Sequence, residues 1–130
     1  MPHISIENQI FQVQNAIFQT LLQANLGIDV IANRGLAVNY PYIIILGTKK
    51  ETLGNCQIKT QTEINVITKD FSVISSASIL EKIEKCLNTK NVAEYIQYYE
   101  VNYVHINSSE TLPTPEGFFM GRILVDVILD

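Results

Sequence analysis

Charge is scarce in this sequence of 130 residues, and positive charge is the scarcer sign. Charged residues make up 17% of the chain, and nine basic against 13 acidic residues give a formal net charge of −4. The basic residues are scattered, and Lys49-Lys50 is their only adjacent pair. A protein that binds nucleic acid through phosphate neutralisation needs a basic surface. The charge balance therefore argues against a specific nucleic-acid partner.

Long apolar runs and cysteine motifs are also missing. No stretch approaches the roughly 20 apolar residues of a membrane span, and polar residues interrupt the first apolar stretch, so we expect neither membrane association nor a secretory signal. The two cysteines, Cys56 and Cys86, are 30 residues apart. This spacing fits neither a CxxC motif nor a disulfide framework. We expect two free thiols and folding in a reducing, intracellular compartment.

Residues that commonly carry chemistry form no cluster in the sequence. His3 lies near the N-terminus, and His105 lies in a predicted strand without an acid or a cysteine at metal-ligand spacing. The six glycines are isolated, and none opens a helix after a strand as a phosphate-binding loop requires. We expect no enzyme activity, cofactor, metal or small-molecule substrate. A cleft that joined His105 to Cys56 or to carboxylates would reopen the hypothesis of an enzyme.

Hydrophobic residues, by contrast, make up 47% of the chain and follow regular patterns. Residues 40–47 contain three consecutive isoleucines, whose branched Cβ atoms favour a strand over a helix. Apolar side chains on both faces of this run predict a central strand. Residues 56–68 alternate between apolar or threonine side chains and polar ones, which indicates a half-buried antiparallel strand. The polar side of that strand could face water, a lumen or a subunit interface.

The first predicted helix spans residues 4–25 and has two apolar stripes. One stripe has the i, i+3/i+4 spacing of a core-facing surface. The other consists of Phe11, Phe18 and Leu22 and lies about a third of a turn away by the 3.6-residue period. The remaining face is polar but nearly uncharged: Gln9, Gln12, Asn15, Gln19 and Gln23. Two interpretations stay open, a broad core face with a low-charge surface or a contact with a neighbouring subunit.

The second half of the chain repeats the layout of the first. A second amphipathic helix is predicted over residues 76–88, with Ser75, Ser76 or Ser78 as its cap and a charged outer face. Strands are predicted at 95–106 and 117–129. The polar segments 48–55 and 107–116 are predicted to be exposed loops, the second one long and mobile. We interpret residues 27–39 as a connection that could hold a short strand at 28–32.

This order predicts one α+β domain over residues 1–130, since 130 residues suit a single core. We expect a mostly antiparallel four-stranded sheet with two helices packed on one face, in the order helix, strand, strand, helix, strand, strand.

The layout resembles the tail terminators and tail-completion proteins of tailed phages, including those encoded by prophages. The resemblance covers most of the chain. It rests on the N-terminal helix, the Tyr40-Pro41-Tyr42-Ile43 strand that ends at Gly47, the threonine-rich strand, the serine-capped helix and the C-terminal strand that opens with Gly117-Phe118-Phe119-Met120-Gly121-Arg122.

The resemblance implies a virion subunit of the tail or neck, assembled in the host bacterial cytoplasm. Such a subunit forms a homo-oligomeric ring, commonly a hexamer, that caps the tail tube and joins it to neck or connector proteins. A ring built by head-to-tail contacts needs two different complementary patches on each subunit. The candidate interface residues are Phe11, Phe18, Leu22, Gln19 and Gln23, with the edge or polar face of the sheet as the second patch. The candidate partner-contact residues in the two polar segments are Lys49, Lys50, Glu51, Glu110 and Glu116.

An alternative hypothesis is a small intracellular α+β module that binds or regulates another protein without catalysis. A closed apolar pocket with a few convergent polar groups would favour it.

Overall fold

The computed structural model describes residues 8–32 and 39–130. The predicted helix at 4–25 and the predicted connection at 27–39 lie partly outside them. The described elements are α1 (Gln9–Gln23), β1 (Asp29–Ile31), β2 (Tyr42–Gly54), β3 (Gln57–Ile67), α2 (Val73–Cys86), α3 (Thr89–Ala93), β4 (Val101–Pro113) and β5 (Phe119–Leu129). The strands form one sheet in the order β1-β2-β3-β5-β4. The α+β class agrees with the prediction.

The predicted count of four strands and two helices was wrong for the described residues. The short strand expected near 28–32 is present as β1, and it pairs with β2 in parallel, with Val30 opposite Ile43. The other strand pairs are antiparallel, so the sheet is mixed. A third helix, α3, follows α2 after a break at Leu87 and Asn88. Elements of three and five residues are too short to carry a recognisable hydrophobic period.

Two long hairpins replace most of the predicted loops. β2 continues through the polar segment to Gly54, and the turn consists of residues with positive φ, Asn55 at 51° and Cys56 at 65°. β4 likewise continues to Pro113, and only residues 114–118 form a turn. In both hairpins the backbone pairs with the neighbouring strand over nearly its whole length. This pairing satisfies the backbone N–H and C=O groups, which outweighs the loop preference of polar side chains.

The bounds of α2 and β4 also differ from the predictions. α2 begins at Val73 because the Ser72 hydroxyl accepts the N–H of Ile74 at 3.2 Å, so the cap precedes the serines that were expected to supply it. β4 begins at Val101, so the tyrosine-rich segment from Tyr95 to Tyr99 leads into the strand rather than forming it.

The core lies between one face of the sheet and the two longer helices. Its fully buried side chains include Ile17 of α1, Ile83 of α2, and Ile43, Ile64 and Ile123 from three strands. α2 approaches β5 closely at a glycine. A Cβ atom on Gly121 would lie 2.7 Å from Cδ2 of Leu80, so a larger residue would force the Leu80 side chain or the helix to shift.

One polar side chain of α1 is not on the surface, contrary to prediction. Gln12 was assigned to the polar outer face of the helix, but it is 5% exposed. Its side-chain oxygen accepts the backbone N–H of Gln97 at 2.7 Å. The polar face of α1 is therefore narrower than the sequence indicates.

Candidate interaction surfaces

The predicted interface residues of α1 lie on one side of the helix but differ in burial. Phe11 and Leu22 are 43% and 42% exposed, whereas Phe18 is half-buried and packs against the core. Gln19 is half-buried and Gln23 is exposed. The side chains at either end of this row are thus available to a partner, and Phe18 also contributes to the fold.

A shallow groove runs between this side of α1 and the sheet. Its volume is about 210 Å³, smaller than the roughly 300–1,000 Å³ of pockets that hold drug-sized ligands. We call it the α1 groove, and its lining is Phe11, Gln14, Asn15, Phe18, Ala32, Ile45 and Leu46. None of the lining residues in the described part of the chain is charged.

The opposite face of the sheet carries no helix of the described residues, and it holds several ion pairs. On β5, Nε of Arg122 lies 3.2 Å from Glu63 Oε2 and its Nη1 lies 3.2 Å from Glu110 Oε1. The hydrogen bond to Glu63, followed by that to Glu110, raises the pKa of Arg122 above its ordinary value. Glu110 was expected in a mobile loop; it lies in β4 opposite Arg122.

A second polar cluster on this face centres on Asp126, which is only 4% exposed. Its two carboxylate oxygens accept from Gln61 Nε2 and Asn107 Nδ2, each at 3.0 Å. Lys59 Nζ lies 3.7 Å from both Asp126 and Glu51, so it links the buried carboxylate to the exposed one. The buried carboxylate is thus hydrogen-bonded, as a buried charge requires.

The other predicted contact residues also lie mainly in strands. Lys49, Lys50 and Glu51 belong to β2, not to a loop, although all three are exposed. Lys50 Nζ donates to Gln9 Oε1 of α1 at 3.0 Å. Glu116 alone among the predicted set lies in a turn, between β4 and β5. The prediction that these side chains meet a partner is separate from the loop assignment, and it stays a prediction.

An apolar surface that the sequence patterns do not indicate lies at one end of the sheet. Phe71, Val73 and Ile74 are 71%, 45% and 75% exposed. The ring of Phe118, from the β4–β5 turn, lies 4.8 Å from that of Phe71 between centroids. We call these four residues the end patch. Phe71 precedes α2, and Val73 and Ile74 are its first two residues. An apolar cluster outside the helical stripe was the signal that could have revealed them.

The described residues hold no obvious chemical site. Within 8–32 and 39–130, no three His, Cys, Asp or Glu side chains are grouped so as to hold a metal. Cys56 is exposed in the β2–β3 turn, while Cys86 is half-buried and burial raises the pKa of its thiol. His105 is exposed on β4, in register with Asp126, and His3 lies outside the described residues. In the described ranges no helix has the length and apolar character needed to cross a bilayer.

Comparisons with known proteins identify the fold. Neither a protein-family model nor a curated protein matches the sequence. The structure is similar to a chain in a solved structure described as the virion of a native gene transfer agent particle, with a TM-score of 0.74. The match covers 92% of this chain and 95% of that chain at 12% sequence identity. The two chains therefore share a fold over nearly their whole lengths.

Proposed function

We propose that this protein is a structural subunit of a phage or phage-like virion. The observation that carries the proposal is the shared fold with a chain of a gene transfer agent virion, at a TM-score of 0.74. Because the match covers 92% of one chain and 95% of the other, it is not limited to a common hairpin or helix pair. Fold alone does not fix function, so the proposal also rests on the surfaces and on the family resemblance of the sequence.

Within the virion, the proposed role is that of a ring-forming tail terminator or tail-completion protein. Its partners are then further copies of itself, the tail tube protein and neck or connector proteins. Two features support this role. The chain has two unlike exposed apolar surfaces, the α1 groove and the end patch, as a head-to-tail contact requires. It also has a sheet face on which Arg122 pairs with Glu63 and Lys59 with Asp126 within the subunit.

A binding role without catalysis agrees with the side chains of the described residues. The ion pairs involving Arg122 and Lys59 join neighbouring strands to one another. We assign no catalytic residue, cofactor or metal to the protein. Its place in the cell is the assembling particle and then the tail or neck of the finished virion.

Deletion of the gene in a strain that produces the particles tests the proposed role. A tail terminator stops tube growth and allows the head to join, so the deletion should leave free heads and tails of uncontrolled length in electron micrographs. Expression of the wild-type chain from a plasmid should restore joined particles. Normal particles from the deletion strain would contradict the proposal, and would favour the alternative of an intracellular protein-binding module.

A further inference from the structure

We draw no further inference here: the strongest candidate, the end patch of Phe71, Val73, Ile74 and Phe118 at one end of the sheet, is an exposed apolar surface, and nothing in the structure shows what covers it.

Discussion

The side-chain oxygen of Gln12 accepts the backbone N–H of Gln97 at 2.7 Å, and this bond ties α1 to the segment that leads into β4. Gln12 is 5% exposed. Gln12→Ala should therefore remove a part-buried hydrogen bond, at a cost of about 0.5–1.5 kcal/mol in the free energy of unfolding. The change is measured from the urea midpoint at unchanged m-value.

Gln23→Ala is the matched control for this prediction, because Gln23 is exposed on the same helix. Surface substitutions of this kind usually change stability by no more than about 0.5 kcal/mol. Equal effects of the two substitutions would show that the bond to Gln97 contributes nothing measurable.

The second prediction concerns the contact of α2 with β5. Gly121→Ala would place a Cβ atom 2.7 Å from Cδ2 and 2.9 Å from Cγ of Leu80, so the helix or the side chain must shift. Overpacking of this kind typically costs about 1–3 kcal/mol. Gly47→Ala provides the control, because nothing lies within 4 Å of a Cβ atom there. Thermal melts of the two variants should differ, and equal melting temperatures would contradict the close packing.

The two cysteines should react with a thiol reagent at different rates. Cys56 is exposed in its turn, whereas burial raises the pKa of Cys86, so little reactive thiolate forms there at pH 8. A disulfide-exchange reagent should modify one thiol quickly and the second slowly, and Cys56→Ser should remove the fast phase.

The raised pKa of Cys86 also makes the free energy of unfolding depend on pH. Burial favours the protonated thiol, so the unfolded chain loses its proton at lower pH than the folded chain. The contribution of Cys86 to stability is constant below the ordinary thiol pKa and falls as the pH rises through that value. Cys86→Ala should remove this alkaline loss from the pH profile. If Cys86→Ala left the pH dependence of stability unchanged, the raised pKa of the Cys86 thiol would be contradicted.

The ion pairs of Arg122 give a salt-dependent prediction. Arg122→Gln removes the contacts to Glu63 and Glu110, so the urea midpoint should fall at low ionic strength. The difference from wild type should shrink as added salt screens the wild-type pairs. Because the pKa of Arg122 is raised, its contribution is fully present below the ordinary arginine pKa, and the difference should not change between pH 7 and 10. A difference that is independent of salt would argue against the ion pairs.

The strongly patterned parts of the fold could be predicted from the sequence. The isoleucines at 43–45, the alternation at 56–68 and the stripe of α1 each reflect burial on a defined face, and each element is present. The strands at 48–54 and 107–113 could not be predicted, because their polar side chains resemble those of loops. Their extended conformation comes from pairing with β3 and β5, and that pairing is a property of the folded chain.

The candidate surfaces were predicted less completely. Exposed Phe11 and Leu22 follow from the second stripe of α1, but the buried state of Gln12 depends on the approach of Gln97, which is far away in sequence. The end patch depends on the contact of Phe71 with Phe118. Phe71 lies between β3 and α2, and Phe118 lies in the turn between β4 and β5, so the two rings are far apart in sequence. A helical period cannot reveal a contact of that kind.

The proposed place of the chain in a virion is tested most directly by its copy number in purified particles. Particles from a producing strain are separated on a density gradient, and quantitative mass spectrometry compares this chain with the major head and tail proteins. The chain should sediment with intact particles at a small, constant number of copies, as one ring per tail requires. A chain that remains with the free cytosolic proteins, or whose ratio to the tail protein varies across the gradient, would contradict it.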